Sequence, residues 1–383
     1  MGWVLWPTSR HGRHRAHALV AACLALAVGV SVAAVDASTP PGVSNPRRIQ
    51  ATFSGIVTET AFAADPSVQR RILDQQRKSG VRLIRQTFDW ARLEPVPGFF
   101  DFSVTDGFML EAARAGIEVM PILFGAPDWG TSRPPGVTTR GTYPPKDRFV
   151  FAAYAQAVAQ RYGRGGTLWA QHPEVPARPI INYQVWNEPN LSIYWLPKIS
   201  PLGYTRLLKQ TAVAIRGVDR KARIVLAGMP TDSHLGAKLP TYLDRLYTAH
   251  ARGTFDVVAI NAYAPSSKKM IGMLRDVRKV MDKRRDPNAG MWVTEFGWGA
   301  GGPAGITRTS VSKQASLVSG AIKALGKARR ELRLQGFVYY GWQDLPPYQG
   351  RTDFWGLHTG LYYLNGRPKP AAHAYARAVR SLR

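Results

Sequence analysis

Two kinds of hydrophobic pattern alternate from residue 51 to the end of this 383-residue chain. Short runs of apolar and β-branched residues, bounded by Gly, Pro or polar residues, predict buried strands. Longer runs in which apolar residues recur every three or four positions predict amphipathic helices. The predicted strands cover 53–57, 81–86, 117–123, 180–186, 223–227, 255–261, 291–294 and 336–340. The predicted helices lie near 66–79, 103–115, 146–162, 202–217, 239–251, 268–283, 309–329 and 369–382.

The order of these elements predicts the fold class. Eight strands, each followed by a helix, indicate an α/β protein whose parallel strands close into a single (β/α)8 (TIM) barrel. No polar linker divides the run, so we expect one domain over 51–383. The connections after the third, fourth and eighth strands are long and aromatic. Because functional residues of this fold lie at the C-terminal strand ends, we expect substrate subsites on that face.

The first 50 residues differ from the rest of the chain. Three arginines precede an apolar run over 18–34, and small residues follow it, which is the order of a secretory signal peptide over 1–37. Residues 38–50 then read as a Pro-rich linker. Two alternatives to cleavage are an uncleaved membrane anchor and lipidation at Cys23, although the apolar run mostly follows Cys23, the wrong order for lipidation. Each alternative predicts a secreted or cell-surface protein.

Cysteine and histidine usage restricts the chemistry. Cys23 is the only cysteine and lies in the segment expected to be removed, so the mature chain has no disulfide, thiolate metal site or Cys nucleophile. The histidines after residue 37 show no metal-ligand spacing. The chain also lacks a phosphate-binding Gly motif and a Ser-elbow motif. We therefore expect neither a metal nor a cofactor.

The chain is strongly basic, with a formal net charge of +26. The first 37 residues hold three arginines and one aspartate, which leaves 48 basic and 24 acidic residues, a net +24, in the mature chain. Such a charge favours anionic partners. No nucleic-acid motif is present, so we expect no nucleic acid and favour an acidic polysaccharide or an anionic cell envelope. A basic surface without a specific partner is the alternative, and we expect a monomer.

Two glutamates follow buried strands in a similar context. Glu188 lies in Trp186-Asn187-Glu188-Pro189 and Glu295 in Thr294-Glu295-Phe296-Gly297, after the predicted fourth and seventh strands. A carboxylate at the end of a buried strand is costly unless a partner or a task retains it. Paired carboxylates cleave glycosidic bonds, and Trp side chains stack on sugar rings. The alternative is that both acids are only satisfied by backbone amides or arginine.

These motifs resemble glycoside hydrolase clan A, whose members are retaining (β/α)8 glycosidases. The resemblance extends from about residue 53 to the C-terminus, and segment 82–98 looks like the second-strand region of families 5 and 39. It implies that Glu188 is the general acid/base and Glu295 the nucleophile. It also implies that Asn187 binds the sugar 2-hydroxyl.

Further site residues are implied by the resemblance or suggested by position. The resemblance makes Arg85 and Tyr263 hydrogen-bond donors to the nucleophile, and Trp342 the floor of the subsite for the cleaved ring. Three more tryptophans, in rim loops or beside Glu295, are candidate substrate-binding residues: Trp129, Trp195 and Trp298.

The resulting functional hypothesis is an exported retaining O-glycosidase that hydrolyses a polysaccharide by double displacement. One alternative is a transglycosylase with the same residues, in which a sugar replaces water as the acceptor. A second is a non-catalytic carbohydrate-binding barrel at the cell envelope.

Overall fold

The computed structural model describes residues 51–138, 141–231, 235–347 and 353–382. The predicted signal segment, 1–37, and linker, 38–50, lie outside the described residues and stay predictions. Within the part of the chain that is described, no helix is long and apolar enough to cross a membrane.

The strands form one closed parallel sheet. Each strand pairs with its neighbours in the order β5-β4-β3-β2-β1-β9-β8-β7-β6, and a pairing of Val225 with Val257 joins β5 to β7 and closes the circle. The predicted (β/α)8 barrel is therefore confirmed. The strands are β1 (Ser54–Val57), β2 (Leu83–Asp89), β3 (Glu118–Phe124), β4 (Asn182–Val185), β5 (Arg223–Val225), β6 (Met229–Pro230), β7 (Val257–Asn261), β8 (Gly290–Phe296) and β9 (Leu334–Tyr339).

The eight long helices agree with the predicted ones to within a few residues at each end. Ser or Asp side chains cap several of them, as at Ser200, Ser266 and Ser310, where the hydroxyl accepts a hydrogen bond from a backbone N–H of the first turn. The helices are α1 (Glu59–Phe62), α2 (Pro66–Lys78), α3 (Trp90–Leu93), α4 (Ser103–Arg114), α5 (Arg148–Tyr162), α6 (Thr167–Gln171), α7 (Pro201–Val218), α8 (Leu239–Thr248), α9 (Ser267–Lys283), α10 (Val311–Ala328) and α11 (Pro370–Arg380).

The fifth barrel strand is interrupted, which accounts for the ninth strand. β5 ends at Val225, and the two-residue β6 resumes the pairing with β7 at Met229. Between them, Gly228 forms a bridge with Asn187. A Cβ atom at Gly228 would lie 2.5 Å from Asn261 Oδ1 and 2.7 Å from Thr294 Oγ1. Glycine at this position therefore makes room for two polar side chains in the barrel mouth.

Two hydrophobic layers fix which side chains point into the barrel. Val57, Leu83, Val257 and Trp292 belong to a cluster inside the barrel, whereas the larger cluster lies between the sheet and the helices. Because side chains alternate along a strand, residues two positions beyond these interior residues point the same way. The polar residues at the C-terminal strand ends therefore lie above an apolar floor, at the barrel mouth.

A buried ion pair anchors the long segment that follows β9. Lys369 Nζ donates to Asp344 Oδ1 at 2.7 Å, and the Gly360 amide donates to the same oxygen at 3.0 Å. Lys369 is almost fully buried, and burial lowers its pKa while the Asp344 carboxylate partly opposes this. Asp344 is thus committed to holding the segment that carries Trp342.

Candidate active site

Glu295 lies on β8, and a β-bulge turns it toward the barrel interior. Trp292 points inward, so strict alternation would direct Thr294 inward and Glu295 outward. The pairing with β7 changes register here, because Ile260 lies opposite Val293 but Asn261 lies opposite Glu295. The extra residue allows both Thr294 and Glu295 to reach the mouth.

Two donors hold the Glu295 carboxylate. Arg85 Nη1 donates to Glu295 Oε1 at 2.6 Å, and the Tyr263 hydroxyl donates to Glu295 Oε2 at 2.8 Å. These are the two contacts that the family resemblance implies. One donor contacts each oxygen of Glu295, so the orientation of the carboxylate is fixed. Burial and the Glu295 charge raise the pKa of Tyr263 well above its usual value, which keeps the phenol protonated as a donor.

Arg85 connects Glu295 to the strand that carries the other glutamate. Besides its bond to Glu295, Nε donates to Gln184 Oε1 at 2.7 Å and Nη2 donates to Asn187 Oδ1 at 3.0 Å. The guanidinium is 2% exposed, and each of its three nitrogens has a protein acceptor. Its planar fork therefore fixes three side chains relative to one another, which the single ammonium of lysine would not do.

Glu188 reaches the mouth because the chain leaves the extended conformation after β4. Trp186 and Glu188 have φ values of 71° and 44°, in the left-handed region that non-glycine residues rarely adopt. Strained residues of this kind cluster at functional sites. The predicted fourth strand therefore ends one residue early, at Val185, and both Asn187 and Glu188 point toward the mouth.

The surroundings of Glu188 favour its neutral form. Asn261 Nδ2 donates to Glu188 Oε1 at 2.7 Å, and Thr294 Oγ1 donates to Asn261 Oδ1 at 2.9 Å, which fixes the orientation of the amide. Among the described residues, the buried Glu188 Oε2 has no hydrogen-bond partner. Burial and then the Glu295 charge raise the pKa of Glu188 to about 8. The raised pKa favours the protonated form of Glu188 at neutral pH, as a general acid requires.

The four predicted tryptophans occupy different environments. Trp342 lies in the wall of a small cavity at the mouth, 4.5 Å from the Tyr362 ring. Trp129 is half-buried and donates to the Glu94 carbonyl at 3.2 Å. Trp195 and Trp298 are almost fully buried; Trp195 packs on Trp186, and Trp298 donates to the Ala264 carbonyl at 2.9 Å. A substrate-binding role for these tryptophans stays a prediction.

Three polar residues of this site were not singled out from the sequence. Gln184 and Asn261 orient Arg85 and Glu188, and Glu59 follows β1 at the same end of the barrel. All three lie at or just beyond C-terminal strand ends, and that position was the available signal. No cluster of three or more His, Cys, Asp or Glu side chains suited to a metal ion occurs in the described ranges.

Two family models match parts of this chain. A model described as the glycosyl hydrolase catalytic core matches residues 174–344, a range that includes Glu188 and Glu295. A second model, described as a glycoside hydrolase family 42 β-galactosidase, matches residues 63–144. Comparison with curated protein sequences gives no match.

Solved structures with the same fold include several glycoside hydrolases. A family 39 enzyme from Bacteroides cellulosilyticus superposes with a TM-score of 0.62 at 17% identity, over 87% of this chain and 65% of that one. A family 39 enzyme from Xanthomonas axonopodis pv. citri gives 0.62 at 19% identity, over 85% and 65%. A family 5, subfamily 18 variant from Streptomyces cattleya, in complex with Manβ1-4GlcNAc, gives 0.62 at 17% identity, over 86% and 80%.

These comparisons support the resemblance at the level of the clan. The chain spans slightly less than two thirds of the two family 39 structures. The predicted resemblance to clan A glycoside hydrolases is confirmed, and glycosidase activity of this chain is a matter for proposal. Substrate, stereochemical course and location are matters for proposal.

Proposed function

We propose that this protein is an exported retaining O-glycosidase that hydrolyses a polysaccharide by double displacement. The observation that carries the proposal is the opposite treatment of two neighbouring carboxyls. Glu295 accepts hydrogen bonds from Arg85 and Tyr263, whereas Glu188 has a raised pKa and an unpartnered buried oxygen. Retention requires the two carboxyl groups to lie about 5–5.5 Å apart, and we expect that separation between Glu188 and Glu295.

The first step uses both carboxyls at once. A Glu295 oxygen forms a bond to the anomeric carbon while the bond from that carbon to the glycosidic oxygen breaks. Glu188 gives its proton to the departing oxygen, so the leaving group departs as a neutral alcohol. Asn187, whose Oδ1 accepts a hydrogen bond from Arg85, would bind the neighbouring 2-hydroxyl of the sugar.

The second step reverses the roles. Glu188, now a carboxylate, takes a proton from water as that water attacks the anomeric carbon. The bond to Glu295 breaks, and the product keeps the configuration of the substrate. A transglycosylase would use a sugar hydroxyl in place of water at this step, and a non-catalytic barrel would perform neither step.

The test is product analysis on a panel of neutral and acidic glycans. We expect proton NMR to detect a newly released reducing end that first appears with the configuration of the substrate linkage. Initial formation of the opposite anomer would contradict retention. A product enriched in longer oligosaccharides when an acceptor sugar is added would favour the transglycosylase, and no cleavage of any glycan would favour the non-catalytic barrel.

Activity should fall on the alkaline side as Glu188 loses its proton. The acid form is required, and the pKa of Glu188 is about 8 in the free enzyme. We therefore expect kcat/KM on a substrate with a poor leaving group to be level below about pH 8 and to fall about tenfold per pH unit above it. A substrate whose leaving group needs no proton should show a much weaker alkaline decline. An identical decline for both substrates would contradict the assignment of Glu188.

We also propose that the basic surface captures an anionic polymer or holds the enzyme at the cell envelope. If the charge steers the substrate, kcat/KM on an acidic polymer should fall as salt rises, because the screening length shortens from about 10 Å at 0.1 M to about 3 Å at 1 M. Activity on a small neutral aryl glycoside should change little over the same range. Equal salt responses would assign the charge to envelope adhesion or to no specific partner.

A further inference from the structure

A third carboxyl, from Glu59, lies at the barrel mouth, where the Glu295 charge acts on it. Glu59 is two residues beyond Val57, which points into the barrel and pairs with Arg85 in the register of β1 and β2. The intervening Thr58 points the other way, toward α2, where its hydroxyl accepts a hydrogen bond from Gln76 Nε2 at 2.8 Å. Glu59 then begins α1, where it lines the same cavity as Val57 and lies near enough to Arg85 for that charge to act on it.

Glu59 and Trp342 line the same cavity. Trp342 is the residue expected to form the floor of the subsite that holds the cleaved ring. The cavity is lined by Glu59, Tyr340, Gly341, Trp342 and Gln343, among others. Trp342 is fixed next to β1, because its backbone N–H donates to the Val57 carbonyl at 2.9 Å. A carboxyl beside an indole is a common way to recognise a sugar, since the ring face stacks and adjacent hydroxyls donate to the two oxygens.

The protein itself makes little use of this carboxyl. Within the described ranges, no hydrogen bond or ion pair to Glu59 is present, although the residue is only partly exposed. Burial and the Glu295 charge raise its pKa, while Arg85 and Arg92 oppose the shift. A partly buried carboxyl without a partner is costly, which is consistent with a group that acquires its partners from a ligand.

The two arginines whose charge acts on Glu59 already have acceptors in the protein. Arg85 donates from all three nitrogens to Gln184, Glu295 and Asn187. Arg92, the second cation that acts on Glu59, lies 3.9 Å from an Asp89 oxygen, so a nearby carboxylate already shares its charge. A uronate ring in this subsite would thus add a negative charge near Glu59 and Glu295, where both of these arginines already have carboxylate partners.

We propose that Glu59 is a substrate-binding residue that selects a neutral sugar, and rejects a uronic acid, in the subsite of the ring that is cleaved. This inference rests on the proposed function and narrows its substrate class. The acidic groups of a polyanionic substrate would then lie on rings outside this subsite, where the basic surface can meet them. Two hydroxyls of the neutral ring would donate to the Glu59 oxygens.

The test compares Glu59→Gln with the parent enzyme on matched pairs of end-labelled oligosaccharides. The two members of a pair differ only in the ring on the non-reducing side of the scissile bond, which is either a neutral hexose or its hexuronic acid. Mass spectrometry of the products identifies which ring occupied the cleavage subsite. We expect the parent to prefer the neutral ring. In Glu59→Gln, kcat/KM for the neutral ring should fall about 10- to 100-fold, and the ratio of neutral to uronide cleavage should shrink by at least about tenfold.

Glu118→Gln is the matched control. Glu118 is a partly exposed glutamate with a burial-raised pKa, but it begins β3 at the opposite end of the barrel. The Glu118→Gln variant should leave the ratio of neutral to uronide cleavage unchanged, so it separates recognition from a general effect of removing a half-buried charge. If Glu59 had a purely structural role, Glu59→Gln would be less stable than the parent but would keep the same ratio.

The outcomes separate this inference from the proposed function. If the parent hydrolyses the oligosaccharides but Glu59→Gln has the same ratio of neutral to uronide cleavage, the inference alone is overturned. A parent that prefers the uronide ring would also overturn the inference alone. A parent that cleaves none of the oligosaccharides would overturn the proposed function and this inference with it.

Discussion

Replacing Glu295 with alanine should lower kcat/KM by about 10⁴-fold or more, because the group that forms the covalent intermediate is removed. Added azide should then restore turnover. Azide can enter the space vacated by the Glu295 side chain and attack the anomeric carbon from the side that Glu295 would have attacked. This single displacement yields a glycosyl azide of inverted configuration. The measurement is the initial rate with and without azide on an activated aryl glycoside, with NMR assignment of the product.

Glu188→Ala supplies the contrasting result. This variant lacks the proton donor, so poor leaving groups should suffer most, by about 10²- to 10⁴-fold. Substrates whose leaving group needs no proton should keep measurable first-step turnover, and azide should give a product of retained configuration from the glycosyl-enzyme. Exchanged behaviour of the two variants would reverse the assignment of acid and nucleophile. The same behaviour in both would contradict double displacement.

Replacing Arg85 with methionine should lower kcat/KM by about 10³-fold and also destabilise the fold. The change removes the cation paired with Glu295 and leaves three buried acceptors, on Glu295, Gln184 and Asn187, without their shared donor. Loss of one partner of a buried ion pair costs up to about 3–5 kcal/mol in the free energy of unfolding. Initial rates and chemical denaturation measure the two effects separately.

Two further variants separate the charge of Arg85 from its hydrogen-bond geometry as causes of the loss in rate. Arg85→Lys keeps the charge but cannot donate to three acceptors in the same plane, so we expect recovery of stability to exceed recovery of rate. Asn187→Ala should cost less than Arg85→Met, about 10²-fold, because it removes a single proposed contact to the sugar. A folded Arg85→Met variant within tenfold of the parent rate would contradict a positioning role for Arg85.

Much of the fold could be predicted because its signals are local. Each long helix is amphipathic and ends near polar or cap residues, and most strands are short apolar runs, so the sequence pattern located the eight long helices and every strand except β6 to within a few residues. The alternation of the two element types then limited the architecture to a parallel sheet covered by helices. The positions of Glu188 and Glu295 after the fourth and seventh predicted strands placed them on one face, as the barrel confirms.

The orientation of the site residues depends on backbone irregularities that periodicity does not contain. Regular alternation would have turned Glu295 outward, and only the bulge in β8 brings it to Arg85 and Tyr263. Glu188 similarly depends on the left-handed residues after β4, where the sequence pattern predicts one more residue of strand. Both features follow from pairing with strands distant in the sequence, which decides the local geometry.

The sequence by itself therefore determined the barrel and the strand-end positions of the two glutamates, because strand-end motifs and periodicity are written in adjacent residues. Only the tertiary structure decided how the two carboxyls differ. The raised pKa of Glu188 depends on burial and on the Glu295 charge, and Glu295 is held by Arg85 of β2 and by Tyr263, which follows β7. The proposed role of Glu59 likewise depends on Trp342, which lies 283 positions further along the chain yet lines the same cavity. Closure of the sheet brings such residues together, and no local pattern encodes that contact.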